Sequence, residues 1–290
     1  MMRIIAPGLR ATIQDRGRPG HVREGIPPAG PADPTAFAAA LSLAGCADGD
    51  AAIEVMGLPF AFRCDDRRIV AVTGRDVRVR TRSGLRGWTS VLARAGQEVV
   101  VEGSATTRFA YVAVNGGIAL PAVLGSRSTY LPAALGPLPR PLAPDDALAL
   151  GPSSAGMEAA GRALVAPDYR RGVRAVAGPH DGRFSGYAVA AFFSASFAVS
   201  PESDRMGVRL TGVPLEAPSA ELLSCGIVAG AVQVPPGGTP IVLLADHQTT
   251  GGYPIIATVV LADLGVVAQA APGEYLRFER VTPGGAGRSG

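Results

Sequence analysis

A mainly β chain in two barrel-like or sandwich-like halves is what this sequence predicts, and three observations carry the prediction. Short β-branched runs recur along the chain, several with strict alternation, as in Arg108-Phe109-Ala110-Tyr111-Val112-Ala113-Val114. Turn chemistry punctuates them at Gly103-Ser104, Asn115-Gly116-Gly117, Pro235-Pro236-Gly237-Gly238 and Pro272-Gly273. Gly 38 and Pro 25 among 290 residues is a high share without any Gly-X-Y period, so it reads as many turns between short strands.

Strands are predicted in order at Ile53–Val55, Ile69–Val72, Val77–Val79, Val99–Val101, Phe109–Val114, Ile227–Val228, Ile241–Leu244 and Leu276–Phe278. Helices are few. Asp33-Pro34 makes an N-cap and first turn for the Ala-rich run Thr35–Ala44, which Gly45 closes. Gly186–Phe193, with Ser185 as N-cap, is a second helix, and Leu264–Gln269 a third. The small-residue segment Gly151–Arg171 reads as the connection between halves. The expected division is therefore 1–160 and 161–282, followed by a Gly/Arg/Ser tail, 283–290, expected to be disordered.

Bulk properties exclude several classes. A net charge of +3 is too small to mark a nucleic-acid binder, despite a pI near 9.0. All 27 basic residues are arginine, so no Schiff-base, P-loop or biotin-carrying lysine lies in this sequence. Cys46, Cys64 and Cys225, odd in number and without CxxC spacing, fit buried thiols in a reducing cytoplasm. No signal peptide is legible, and the apolar stretch Ile255–Ala271 is broken by Asp263, so a soluble protein is expected.

Common catalytic signatures are missing. No GxSxG, GxGxxG or GxxxxGK[ST] occurs, and widely spaced His21, His180 and His247 make no zinc pattern. Four dense polar segments remain. Thr12 to Gly20 carries Gln14, Asp15 and Arg16, which suit either a bidentate anion grip or an Asp15–Arg16 surface pair in a turn. Gly125 to Tyr130 flanks Arg127 with hydroxyls such as Ser126, fitting an anion site or a satisfied polar turn. Ser200 to Arg209 sets Asp204 beside Arg205, as a reactive pair or an ion pair tying loop to strand.

The most concentrated segment, Ala245 to Pro254, follows a predicted strand directly. It holds Asp246, His247, Gln248, Thr249, Thr250, Gly252 and Tyr253. An acid, an imidazole, an amide, two hydroxyls and a double glycine at a strand end point to function. Asp246 or His247 suits proton transfer, and the glycine pair admits a substrate close to the backbone.

Taken in order, these segments resemble one family, the carboxyltransferase domain family, subdomains A and B (also called the KipA or allophanate hydrolase subunit 2 family). The matching stretches run from Pro7-Gly8-Leu9 and Gln14-Asp15-Arg16-Gly17-Arg18-Pro19-Gly20 through Gly30-Pro31-Ala32-Asp33 and Ala52-Ile53-Glu54-Val55. They continue through Val114-Asn115-Gly116-Gly117-Ile118 and Gly125-Ser126-Arg127-Ser128-Thr129-Tyr130. Ser203-Asp204-Arg205-Met206-Gly207, Gly230-Ala231-Val232-Gln233-Val234-Pro235 and Asp246-His247-Gln248-Thr249-Thr250-Gly251-Gly252-Tyr253-Pro254 complete the series. Collinear coverage runs from Arg3 to Phe278, and the order makes the likeness far more specific than any one motif. His247 stands where the family pattern more often has arginine.

The resemblance implies two cyclophilin-like β-barrel domains with a few short helices. It also implies a place in a 5-oxoprolinase, which opens 5-oxoproline to glutamate with ATP as substrate, together with Mg. The implied partners are a KipI-like protein and a LamB/YcsF-like third component, with activity only in the complex. On this reading Asp246, His247 and Asp204 are the catalytic candidates. Gln14, Asp15, Arg16, Ser126, Arg127, Arg205, Gln233, Gln248, Thr249, Thr250, Gly252 and Tyr253 are the binding candidates, with no metal ligands and no covalent biotin on the chain. Two alternatives stand beside it. One is the carboxyltransferase part of a biotin-dependent urea carboxylase, disfavoured by the missing carrier lysine and fused carboxylase domain. The other is a non-catalytic regulator that antagonises a KipI-like kinase inhibitor.

Overall fold

Alternating apolar residues sort the strands of the N-terminal part into two sheets that share one core. In the computed structural model, which describes residues 1–81, 84–153, 156, 159–218 and 222–284, the first unit comprises Met1–Arg18 and Ala29–Pro167. Its strands are β1 (Met2–Ala6), β2 (Arg10–Gln14), β3 (Ala52–Met56), β4 (Phe60–Cys64), β5 (Arg68–Gly74) and β6 (Arg78–Thr81). They are followed by β7 (Gly84–Arg86), β8 (Thr89–Ala93), β9 (Glu98–Glu102), β10 (Phe109–Val114) and β11 (Ala147–Leu148). One sheet runs β11-β1-β4-β9-β6-β7 and the other β2-β3-β10-β5-β8. Met2, Ile4, Phe60, Phe62 and Val101 of the first pack with Ile13, Ile53, Val70, Val72 and Val112 of the second. This half takes the sandwich form.

The helix α1 (Pro34–Ala44) packs against β3, β5 and β10, which leaves those strands buried on both faces. Asp33 caps it by accepting from Ala36 N at 3.0 Å, and Gly45 ends it in the left-handed region (φ 68°) that a side chain would strain. The polar residues beneath the helix are used as fasteners. Thr73 Oγ1 donates to the Ala36 carbonyl at 2.6 Å, and Asn115 Nδ2 to those of Ala44 and Gly45 at 2.9 Å. Tyr111 donates to Glu54 Oε2 at 2.8 Å and accepts from Asp33 N at 2.7 Å. Burial, with the Glu54 charge beside it, pushes the Tyr111 hydroxyl well above its ordinary range, so it stays a proton donor.

The second unit comprises Pro19–Pro28 and the chain from Asp168 onward. It contains β12 (Val173–Ala177), β13 (Ser196–Val199), β14 (Gly207–Thr211), β15 (Cys225–Gly226) and β16 (Ala231–Gln233). After these come β17 (Ile241–Leu243), β18 (Thr250–Gly251), β19 (Ile255–Val259) and β20 (Tyr275–Arg280). Seven of these close a barrel in the order β12-β19-β16-β17-β14-β13-β20, and the parallel β12–β20 pair makes the seam. Phe192 of α2 (Gly186–Ser194) stacks on Phe278 at 4.6 Å and meets Phe197 at 5.9 Å, docking the helix on the barrel. α3 (Leu264–Gln269) is buried along its whole length. Just before it, Asp263, 0% exposed, accepts from Arg171 at 2.6 Å and from Arg174 Nη2 and backbone N at 2.8 Å.

The mainly β architecture and all three helices agree with the sequence expectation. Ile227–Val228 does not form the expected strand. The extended backbone stops at Gly226, Ile227 N bonds the Thr249 carbonyl at 3.0 Å, and the chain turns at Gly230. Ile227 is apolar for packing and joins a small core with Ala231, Leu243 and Ile255, whereas Val228 is exposed. The division expected at 160 compares with a boundary at 167, and the segment Pro19–Pro28 groups with the second unit. Most of the expected tail, from 285 on, lies outside the described residues. No described helix is long and apolar enough to cross a membrane.

Candidate functional site

The loop Thr12–Gly20 emerges from β2 and is held by Asp15, a nearly buried carboxylate. Its Oδ1 accepts from Gly17 N at 2.8 Å, Ser126 Oγ at 2.5 Å and Ser128 Oγ at 2.7 Å, and its Oδ2 from Arg127 N at 2.5 Å. Ser128 Oγ also accepts from Asp15 N at 2.9 Å. Burial alone would raise the Asp15 pKa. The amide of Arg127 and the hydroxyls of Ser126 and Ser128 outweigh it, so the carboxyl sits below its ordinary value. Gln14 is fully buried and donates to Thr12 Oγ1 at 3.0 Å and the Thr129 carbonyl at 3.2 Å.

These contacts make Asp15 and Ser126 a stitch between two loops. The Asp15–Arg16 surface pair considered from the sequence is replaced: Arg16 pairs with Asp48, both exposed. Arg127 anchors its guanidinium through Nε to the Leu120 carbonyl at 2.7 Å.

In the second unit, the loop after β17 is laid along the residues before β14. Leu244 N bonds the Met206 carbonyl at 3.0 Å and Asp246 N the Arg205 carbonyl at 2.9 Å. Their side chains complete the clasp: Arg205 Nε donates to Asp246 Oδ2 at 2.8 Å and Nη2 to Oδ1 at 2.9 Å, with both side chains 4% exposed. Such a bidentate buried pair fixes geometry, because losing either partner would strand a charge. The sequence allowed Asp204 to pair with Arg205. Asp204 instead accepts from Met206 N at 2.8 Å and Gly207 N at 3.2 Å, closing the turn into β14.

His247 is buried, and its Nδ1 donates to the Gln248 carbonyl at 2.6 Å, which leaves the lone pair on Nε2. Burial lowers its pKa, opposed by that carbonyl and by Asp246, so the imidazole is neutral at pH 7. Thr249 is buried with its carbonyl given to Ile227, whereas Thr250 is exposed on the short β15–β18 ribbon.

Beyond the clasp lies a cavity of about 630 Å³, walled by Val234, Pro254, Leu222 and Pro218, with Tyr253 half-exposed at its edge. Gln248, Gly251 and Gly252 also line it, and no described lining residue is acidic or basic. Gln248 Nε2 donates to Gln233 Oε1 at 3.1 Å. The glycines are there for space. A Cβ on Gly251 would lie 2.6 Å from Ile227 Cδ1 and 3.1 Å from Gln233 Nε2, and one on Gly252 3.3 Å from the Leu222 carbonyl. Of the residues singled out in the sequence, Gln248, the glycine pair and Tyr253 line one cavity, and Gln233 lies behind them, bonded to Gln248. It missed the apolar walls from Pro218 and Leu222, whose sequence carries no local signal.

No cluster of three or more His, Cys, Asp or Glu side chains suited to a metal stands among the described residues. The cavity's described lining, with the Gln248 carboxamide and no basic side chain, lacks the cations that a triphosphate needs.

The carboxyltransferase domain model, subdomains A and B, matches residues 24–280. The chain is similar to a 5-oxoprolinase subunit of Escherichia coli (strain K12), with 37% identity over 96% of this chain and 90% of that protein. The corresponding 5-oxoprolinase subunit of Haemophilus influenzae is 36% identical over 97% and 92%. Urea amidolyase of Lachancea kluyveri is 28% identical over 95% of this chain and 16% of that protein. Among solved structures, TTHA0988 superposes with a TM-score of 0.87 at 30% identity, covering 96% of this chain and 55% of that one. Kluyveromyces lactis urea carboxylase superposes at 0.86 with 26% identity, covering 98% and 28%. The chain thus spans about half of the first solved relative and a small part of the urea enzymes. It belongs to the carboxyltransferase domain family, subdomains A and B.

Proposed function

We propose that this chain is a subunit of an ATP-dependent 5-oxoprolinase, and that the cavity of the second unit receives the lactam end of the substrate. The observation that carries the reading is the near full-length match to two proteins named as 5-oxoprolinase subunits. The urea amidolyase match occupies only 16% of that protein. The chemistry of the cavity agrees. A lactam is neutral and planar and offers one carbonyl acceptor and one N–H donor, which carboxamides complement without a charge.

A lactam carbonyl is a poor electrophile. Phosphorylating its oxygen at the expense of ATP, with release of ADP, makes the carbon electrophilic enough for water to add. The C–N bond then breaks as the nitrogen takes a proton, and a second water releases phosphate from the resulting acyl phosphate to give glutamate. In this chain, Asp246 acts as a positioning group: it holds Arg205 and sets the strand end from which His247, Gln248 and the glycine pair project. Neutral His247 is the nearer candidate for proton transfer. Among the arginines singled out, Arg16 is the one in an exposed, exchangeable pair, and it is the candidate for meeting an anion such as a phosphate of ATP. Mg would arrive with the nucleotide. A KipI-like protein and a LamB/YcsF-like protein would supply the remaining groups, in a cytoplasmic complex consistent with three free cysteines.

A second reading rests on the TM-score of 0.86 to a urea carboxylase: carboxyl transfer from biotin to urea, with biotin carried on another chain. The test is ATP turnover coupled to glutamate release from 5-oxoproline, with and without the partner proteins. Turnover only in the full mixture is the expected result. Biotin-dependent activity on urea would favour the second reading. Partner binding without turnover of either substrate would make the chain a regulator.

A further inference from the structure

We infer that Gln248 selects the ligand of the second-unit cavity by accepting a hydrogen bond from its N–H, and that Gln233 holds the Gln248 amide in the orientation that does so. The inference rests on the cavity being the lactam site, and adds which atom of the lactam sets it apart from other neutral rings. The walls leave few groups for this task. Pro218, Pro236 and Pro254 have no N–H, and among the described lining only Gln248 and Tyr253 carry a polar side-chain group. Tyr253 stands half-exposed at the edge, which leaves the half-buried Gln248.

Gln248 is held in place on every side. Its carbonyl accepts from His247 Nδ1 at 2.6 Å, and its neighbours are pinned through the Asp246 N–Arg205 carbonyl and Ile227 N–Thr249 carbonyl bonds, at 2.9 and 3.0 Å. Its Nε2 donates to Gln233 Oε1 at 3.1 Å. Gln233, 2% exposed, ends β16 between β17 and β19, opposite Ile241 and Ile255, so it is a fixed acceptor. With its nitrogen committed, Gln248 has its amide oxygen left. That oxygen has no hydrogen-bond partner among the described residues, and it does not number among the buried side-chain atoms left without one. It is therefore an open acceptor on a residue that borders the cavity. An acceptor takes an N–H. A lactam supplies one beside its carbonyl, whereas a lactone of the same ring size has oxygen there and would set two acceptors against each other.

The test uses the whole chain and two neutral rings of matched shape: 2-pyrrolidinone, which has the N–H, and γ-butyrolactone, which has oxygen in its place. Binding is followed by ligand-observed NMR for the wild type, Gln248→Met and Gln233→Met. The wild type should prefer 2-pyrrolidinone by about three- to tenfold, the worth of one good hydrogen bond. Gln248→Met, which keeps the length and loses the acceptor, should bring the two rings to equal binding and leave the lactone's affinity near its wild-type value. Gln233→Met leaves Gln248 free to turn either end to the cavity, so the preference should shrink while both rings still bind. Thermal melting checks that the variants are folded, and the wild-type comparison stands without them. A wild type that binds both rings equally overturns the inference, because the amide pair turned end for end would offer donors to the carbonyl that both rings share. A wild type that binds neither ring overturns it too, as does a folded Gln248→Met that keeps the preference. Turnover of 5-oxoproline by the reconstituted complex, measured in parallel, separates the two failures: turnover without lactam preference sinks the inference alone, and absence of turnover sinks the 5-oxoprolinase reading.

Discussion

Each unit buries an aspartate at the root of a polar loop, and the two are neutralised by different means. Asp15 is held by four neutral donors, two backbone amides and two hydroxyls. Asp246 is held by the one guanidinium of Arg205. The distributed arrangement degrades gradually, since any single donor can be lost while the others remain. The concentrated one fails at once, since removing its partner leaves a full charge in a site 4% exposed. Density of polar residues, which marked both loops in the sequence, does not tell these cases apart; the number of partners per charge does.

The largest effect should therefore come from Arg205→Met, which strands Asp246. About 3–5 kcal/mol of stability should be lost in denaturant unfolding. Adding Asp246→Leu in the same chain should recover most of that loss, because an apolar pair of similar volume carries no desolvation cost. If the double variant is as unstable as the single, the pair is not what the loop depends on.

Acid should separate the charges in a second way. The carboxyl of Asp263 is pulled down from 3.8 to about 2: burial would raise it, but the side chain of Arg174 and then Arg171 outweigh that. A group with a depressed folded pKa contributes stability that is complete above its unfolded value and is lost as pH falls through the folded one. Asp263 should thus contribute about 2 kcal/mol above pH 4, lost between about pH 4 and 2. His247 works at a higher window. Its folded pKa is lowered by burial, so the unfolded chain takes up the proton first, and stability should begin to fall as pH drops through the ordinary imidazole value of 6.5. His247→Gln should remove the upper component of the acid titration and leave the lower one.

How far the site was legible follows from the same physics. Local signals sufficed for α1, because Asp33, Pro34 and Gly45 each act within one turn. The double glycine after β17 stood out as a motif, and the structure gives Gly251 a packing use, since a Cβ there would lie 2.6 Å from Ile227 Cδ1. Partnerships across long separations were not legible. Asp246 finds Arg205 across 41 residues and Asp15 finds Ser126 across 111, and sequence proximity had offered Arg16 to Asp15 and Asp204 to Arg205 instead. Ile227–Val228 was misread because a β-branched residue serves a packed loop as well as a strand: Ile227 is buried and pinned by Thr249, while Val228 is exposed.

A smaller effect is expected at the distributed site. Ser128→Ala removes one donor to Asp15 Oδ1 and one acceptor for Asp15 N, at 2.7 and 2.9 Å. The loss should be about 1–2 kcal/mol, clearly below that of Arg205→Met. Equal losses would erase the contrast between distributed and concentrated neutralisation.

The smallest effect on stability belongs to Arg16→Ala, and it is the most telling about function. The pair with Asp48 is exposed on both sides, where ion pairs contribute about 0–1 kcal/mol, so the melting temperature should hardly move. An exposed guanidinium that gives little to the fold can exchange its carboxylate for an incoming anion. In the reconstituted complex, the variant should raise the KM for ATP several-fold while leaving the kcat at saturating ATP near the wild-type value, as expected when uniform binding is lost. Asp48→Ala is the counter-test: it frees Arg16 from its competitor and should lower the KM for ATP. If both variants leave the KM unchanged, Arg16 is a surface residue and the anion grip lies with other arginines.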